Sequence, residues 1–410
     1  MRTPNLKART HLIQAWKAGV DAVGGERVTR AAVGGDHVAP ISRLLAVGKA
    51  AGAMCAGALA RFAEHGEALV VTKQGHGRAV AAHPRIALIE AGHPLPDDNS
   101  LRAGRAVEDF VRAVAADEEL VMLVSGGASA LVERLPDAVD LAKLQTMTSA
   151  LLAGGYSIDQ INAARIRVSN IKGGKLLRIF GGKSVRVYAI SVVPGDRIDL
   201  IGGGIGDLAK RPPPALPPDM LHLLERAGAG LADDAFDLGN DIRFDYRARV
   251  VASNRIARAA AAEFLRAHHL PVIVHEEELN RDIHAAAQHL AAALLGGPPG
   301  AYIWGGESTV VLPPRPGVGG RNQSLALALA GEIRGRRDIA ALVAGSDGSD
   351  GPTFAAGALI DGDTFDAASG AARALAGADA GTYLARIAAL FKPGPTGTNV
   401  MDLAVAIKGA

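Results

Sequence analysis

Residues 123–132 read LVSGGASALV. An apolar run from Glu119 to Val124 stops at Ser125, two glycines and a serine follow, and small residues suited to opening a helix come next. A strand that turns on glycines into a helix aims backbone N–H groups at one point and so offers a place for an anion. The same turn is used to present nucleophilic serines and to hold dinucleotide cofactors. These three occupants make different demands on the rest of the chain.

The same grammar recurs on both sides of it. Leu44–Val47 leads to Gly48-Lys49 and the helix-like AAGAMCAGALARFAEH. Ala68–Thr72 ends at KQGHG, and Ile86–Glu90 at AGHPLPDDNS, where Asn99 or Ser100 is positioned to cap a helix reaching about Ala115. Val185–Val193 ends at PGD, and Val272–His275 follows a helix of about 254–269. Strands alternating with helices predict an α/β protein with a parallel sheet covered on both faces.

With 410 residues, two domains are expected. LLGGPPGAYIW, 294–304, is the better boundary, with Gly and Pro before a new strand, and divides the chain into 1–297 and 298–410. KRPPPALPPD, 210–219, reads as an extended surface segment. Beyond the boundary come a strand, GGE, a strand TVVL (309–312), a glycine-rich loop, a helix at about 321–333, a strand Ile339–Ala344 and then SDGSDGPT.

Hydrophobic residues make up 49% and aromatics 4%, so the cores are built from Ala, Val, Leu and Ile. Lys and Arg total 44 against 42 Asp and Glu, a net +2 without a long basic block, which argues against a nucleic-acid footprint. The single cysteine, Cys55, excludes an internal disulfide, suits a reducing compartment and reads as a small buried apolar residue. MRTPNLKARTHLIQAWKAGVDAV lacks the apolar core of a signal peptide, and no stretch approaches the roughly 20 uninterrupted apolar residues of a membrane span. The expectation is a cytoplasmic protein that binds neither membrane nor nucleic acid.

Generic signatures fail in turn. GGKS, 181–184, has Leu177 where a P-loop needs its first glycine, and strand-like VRVYAI follows it. GIGDLA, 204–209, fits G-x-G-x-x-A, but prolines 212–214 cut off the helix that should open there. No G-x-S-x-G occurs, so neither Ser125 nor Ser129 reads as a nucleophile. His284 and His289 are five residues apart, which rules out a zincin pair.

Glycine-rich turns carrying one cation or carboxylate each remain. Lys49 in VGKAAGAM stands beside a helix start and can meet an anion as a point charge. Lys172 in SNIKGGKL adjoins Gly173 and Gly174, and Arg321 in GVGGRNQSLALALA stands where a loop becomes a helix. A cation there is unfavourable unless an anion shares the site. Asp347 and Asp350 in SDGSDGPT suit either a divalent ion or a turn, and GPTGTNVMDL adds Asn399 and backbone donors. Each also has an ordinary structural reading as a solvated or turn residue. Together, many N–H groups, a few cations and carboxylates suit phosphoryl transfer, which depends on positioning and charge neutralisation.

In order along the chain, VGKAAGAM, HPLPDDNS, LVSGGASALV, INAARIRVSNIKGG, GGESTV, GGRNQSLALALA, GSDGSDGPTFAAGALID and GPTGTNVMDL resemble the glycerate 2-kinase family, over about residues 6–405. The resemblance implies a larger Rossmann-like α/β/α N-terminal domain, a smaller α/β C-terminal (MOFRL) domain and a site in the cleft between them. It implies transfer of the ATP γ-phosphoryl group to the 2-hydroxyl of D-glycerate, with Mg²⁺, and it leaves room for a homodimer. Lys49 and Arg321 would flank the phosphoryl group, with Asp196 a candidate base. Ser125, Gly126, Gly127, Ser129, Lys172, Gly173, Gly174, Asn322 and Asn399 would hold substrate or phosphate, and Asp347 and Asp350 the metal. Members of the family are also called hydroxypyruvate reductases, which keeps an NAD(P)H-dependent reductase as an alternative.

The chain departs from the family pattern at SVVPGD, 191–196, where Val192 replaces an aspartate, and at IGGGIGD, 201–207, where the family reads close to Ile-Gly-Ser-Gly-Pro-Thr. Arg167 and Pro393 also replace a usual histidine and threonine. A valine can neither take a proton nor hold Mg²⁺. A substrate-shifted or non-catalytic member is therefore a further alternative.

Overall fold

The computed structural model describes residues 3–36, 39–154, 156–208, 214–229 and 243–409. Residues 210–213 of the proline-rich segment and the last residue of GIGDLA lie outside these. Two compact units form, Gly25–Ala252 and Met1–Gly24 together with Ser253–Ala410.

The first unit is built on β1 (Ile41–Val47), β2 (Phe62–Lys73), β3 (Ile86–Ala91), β4 (Glu119–Val124), β5 (Ser184–Ile190) and β6 (Asp245–Ala252). They hydrogen-bond in the order β3-β2-β1-β4-β5-β6, every pair parallel. Alternate residues Leu45, Val47, Leu120, Met122, Val124, Val185 and Val187 enter one core cluster, while Leu44, Ala46, Val121 and Leu123 are buried on the opposite face. Burial on both faces is why central β1 and β4 carry continuous apolar runs, whereas the edge strands β3 and β6 stay partly exposed. The chain reverses its lateral direction between β1 and β4, and ligands of such sheets gather beyond the carboxyl ends of the strands at that point.

Three local expectations are corrected. The helix after β1 covers only Ala51–Ala58, because from Phe62 the chain joins the sheet as β2. The helix Asp98–Arg112 is capped by Asp97, with Ser100 completing a reciprocal capping box as its third residue. β5 ends at Ile190, where the Ser191 hydroxyl bonds both the amide and the carbonyl of Val193 and curls the chain out of the sheet.

The second unit contains β7 (Val272–Val274), β8 (Gly300–Gly306), β9 (Ile339–Gly345), β10 (Gly357–Asp361), β11 (Leu390–Phe391) and β12 (Asp402–Lys408), ordered β11-β10-β9-β12-β8-β7. Only β7 and β8 are parallel; the other pairs are antiparallel, so this sheet is mixed. TVVL forms no strand beyond a bridge between Thr309 and Asp282. Pro313 and Pro314 follow it, and Val311 and Leu312 are exposed. The helix Arg321–Glu332 runs through the core, with every residue from Asn322 to Ala330 buried. The N-terminal helix Thr3–Ala22 belongs to this unit: Trp16 Nε1 donates to the Ala344 carbonyl at 3.4 Å, and Arg9 pairs with Asp361 at 3.2 Å. The compact units therefore divide the chain elsewhere than at residue 297, because packing groups this helix and Ser253–Gly297 with the C-terminal sheet.

Candidate active site

At the carboxyl ends of β1 and β4 two loops lock together. The Lys49 N–H donates to the Gly126 carbonyl at 2.9 Å, and the Ala50 N–H donates to Ser125 Oγ at 3.1 Å. Ser125 is fully buried, so its oxygen serves the start of the helix Ala51–Ala58. Gly48 has φ +127°, and a Cβ there would collide with Ser125. Gly127 takes φ +87°, and a Cβ there would stand 3.1 Å from Lys49 Cγ and 3.2 Å from the His93 ring. Lys49, Gly127 and His93 thus meet at one place. The amides of Gly126 to Ser129 precede the first bond of the following helical turn, which starts with Ala130 N–H to the Gly127 carbonyl.

Lys172 is placed differently from a ligand-facing lysine. It is buried, and its Nζ pairs with the equally buried Glu133 carboxylate. Burial lowers the lysine's pKa and Glu133 opposes that shift. Glu133 also accepts from the Ser169 hydroxyl at 2.5 Å and the Arg134 amide at 3.0 Å. The amides of Gly173 and Gly174 donate to the carbonyls of Gly203 and Gly204, each at 2.8 Å, so this glycine pair spends its donors on the 201–207 loop. That loop carries positive φ at Gly202, Gly203 and Gly204, and its 3₁₀ turn is not the strand-to-helix turn a dinucleotide needs. A Cβ on Gly203 would lie 2.9 Å from Lys172 Cδ and 3.0 Å from Ser129 Oγ, so those two side chains flank it.

Asp196 follows β5 with φ +55°, uncommon for a residue with a side chain. Val192 packs against the apolar cluster of the sheet, so its side chain belongs to the core edge.

In the second unit the anion that a cation at a helix start calls for is supplied by the protein. Arg321 donates from Nε to Asp402 Oδ2 at 2.9 Å and pairs with Glu307 at 2.7 Å. Burial works against its charge, but Asp402 and Glu307 outweigh this and raise its pKa. Asn322 Nδ2 donates to Asp402 Oδ1 at 2.9 Å. Asp350 caps the same helix, accepting from the amides of Asn322 at 3.2 Å and Gln323 at 2.8 Å. Burial pushes its carboxyl up to about 7, with repulsion from Asp402 adding to the shift. Asp347 accepts from the Ser349 amide at 2.9 Å. Asn399 lies on a loop tied to this one, since the Val400 amide donates to Ser346 Oγ at 2.8 Å. Among the described residues, no three His, Cys, Asp or Glu gather as a metal site.

Glu307, in the quoted motif GGESTV, and three further participants escaped the sequence reading. His93 and Asp402 stand inside quoted motifs, HPLPDDNS and GPTGTNVMDL, where a titratable side chain was the available signal. Glu133 follows LVSGGASALV directly but stands outside every quoted motif.

Comparison with known proteins agrees with this architecture. Residues 11–228 match a domain of unknown function, DUF4147, and residues 300–402 match the MOFRL family. A D-glycerate 2-kinase of Thermotoga maritima is 34% identical, covering 89% of this chain and 90% of its own. A glycerate 2-kinase of Pyrococcus horikoshii is 30% identical over 89% and 86%. An Agrobacterium vitis protein provisionally named a hydroxypyruvate reductase is 33% identical over 83% and 92%. The crystal structure of a Thermotoga maritima glycerate kinase superposes with a TM-score of 0.79 at 30% identity, over 98% of this chain and 99% of that one. With a six-stranded parallel sheet that ends beside Lys49 at its switch point, a mixed sheet packed with the helix that starts at Arg321, and both family models matched in order, the chain belongs to the glycerate 2-kinase family.

Proposed function

We propose that the protein transfers the γ-phosphoryl group of ATP to the 2-hydroxyl of D-glycerate, forming 2-phosphoglycerate and ADP. The observation that carries this reading is the meeting of Lys49 with the Gly126–Ser129 turn at the β1/β4 switch point, a cation beside several backbone donors. Such a group neutralises phosphate charge without needing a nucleophile of its own. The hydroxyl oxygen attacks phosphorus, the bond to ADP breaks, and the hydroxyl proton passes to a carboxylate, for which Asp196 is the candidate on this unit. Arg321, held rigid by Asp402 and Glu307, is the second cation assigned to the reaction.

Mg²⁺ reaches kinases bound largely through nucleotide phosphates, needing one or two protein carboxylates. Asp347, whose Oδ1 accepts from Ser349, is the proposed ligand in SDGSDGPT, while Asp350 caps the helix with both oxygens. Bound there, the ion would neutralise charge on phosphate oxygens.

The test is ADP release by purified protein with ATP, Mg²⁺ and a panel of hydroxy acids. We expect glycerate-dependent ADP formation, and kcat/KM lower by at least about 100-fold in Lys49→Ala and in Arg321→Ala. No ADP above background with any acid overturns the kinase reading, and unchanged turnover in both variants removes these residues from it.

A further inference from the structure

The geometry points to Arg165 as a recognition residue for an oxyanion, specifically the carboxylate of the acceptor substrate. This rests on the kinase reading above for the identity of that substrate.

Arg165 lies in the last turn of the helix Ile158–Arg167. From Ile161 to Ser169 every residue is buried except Arg165, which alone keeps partial access to solvent. It lies within electrostatic reach of both Glu133 and Lys172. The one carboxylate in that group is already spent, since Glu133 takes the Lys172 ammonium, the Ser169 hydroxyl and the Arg134 amide. Asp159, on the same helix, and Asp199 are engaged as well, both pairing with Arg197, at 2.7 and 2.6 Å. Among the described residues no hydrogen bond or ion pair reaches the Arg165 guanidinium.

A guanidinium does not shed its proton to escape this position, and its five N–H donors form a planar fork that matches a carboxylate in two bonds. Two cations therefore share one carboxylate in a largely desolvated cluster, and the surplus charge sits on the member with access to solvent. The cluster adjoins the candidate site, because Lys172 and Ser129 flank Gly203. A cation near a helix C-terminus is favourable in itself, so a purely structural role is the competing explanation.

The experiment compares Arg165→Gln and Arg165→Lys with the native protein by steady-state kinetics and by calorimetric titration with glycerate and with its neutral amide, glyceramide. Expected are a rise of at least about tenfold in the KM for glycerate in Arg165→Gln, partial recovery in Arg165→Lys and an ATP KM within about twofold of native. The native preference for glycerate over glyceramide should collapse in Arg165→Gln. A raised ATP KM with glycerate unchanged would assign the arginine to nucleotide phosphate and overturn the carboxylate assignment. Unchanged values for both, or lower thermal stability as the sole effect, would leave the structural role standing and overturn it too. If the native protein shows no kinase turnover, titration still decides: glycerate binding lost in Arg165→Gln supports the inference, and equal or absent binding in both refutes it.

Discussion

Replacing Glu133 by Gln keeps the shape of the side chain and removes its charge. Lys172 is 1% exposed and Glu133 2%, so the lysine would be left in a desolvated site without its counter-ion, and with Arg165 still nearby. Removing one partner of a buried ion pair costs about 3–5 kcal/mol, against a total of about 5–15 kcal/mol for a typical domain. The pH dependence follows from the sign of the shift. Lys172 titrates below its ordinary 10.5 in the folded chain, so between the two values the unfolded chain binds more protons and stability rises with pH. Without Glu133 nothing offsets the effect of burial, and that rising segment should extend toward neutral pH. Glu133→Gln is therefore expected to be least stable near pH 7 and to recover toward pH 9. Adding Lys172→Met, which deletes the stranded charge at similar length, should restore most of the loss. Both tryptophans, Trp16 and Trp304, lie in the other unit, so urea unfolding is best followed by far-UV circular dichroism. Hydrogen exchange on peptides spanning 119–135 and 166–178 would localise the effect. A cost under about 1 kcal/mol, insensitive to pH, would refute the claim that Lys172 depends on Glu133, as would a double variant no better than the single one.

Two further outcomes are expected. Asp350 titrates at about 7 in the folded chain against an ordinary 3.8, so the native state binds the extra proton in that window. Its contribution to stability is thus fully present below about pH 4 and is lost as pH rises through 7, by about 4 kcal/mol at most. Asp350→Asn should flatten that slope, measured by urea unfolding at pH 5 and pH 7.5; an unchanged slope would show that another group carries it. Gly127→Val forces a branched side chain into φ +87° against Lys49 and His93. It should cost about 1–3 kcal/mol in stability and weaken ATP binding more than tenfold by titration. Full binding in a folded variant would exclude this turn as a ligand cradle.

Much of the first unit was legible along the chain. β1, β3 and β4 carry apolar runs closed by Gly or Ser, and burial on both faces left Leu44–Val47 and Leu120–Val124 no polar alternation to confuse the pattern. Lys49 and the Gly126–Gly127 pair were legible as site candidates for the same reason, since each stands immediately after such a run. TVVL misled because hydrophobicity alone does not supply a strand with a neighbour to pair with. Val192, which replaces an aspartate of the family pattern, packs against the edge of a core in the fold.

By itself the sequence determined the alternating strand and helix elements, the glycine turns at strand ends and the set of charged residues beside them, because these follow from local propensity and periodicity over a few residues. Tertiary structure alone decided which charges remain available. Glu133 reaches Lys172 across 39 positions and Asp402 reaches Arg321 across 81, while β12 inserts between β8 and β9 from the end of the chain. Burial makes such pairings strong and obligatory, yet no short window of sequence contains both partners. For that reason Lys172, read as an anion binder, pairs with Glu133 inside the protein, and Arg165, passed over in sequence, is the cation proposed for a substrate carboxylate.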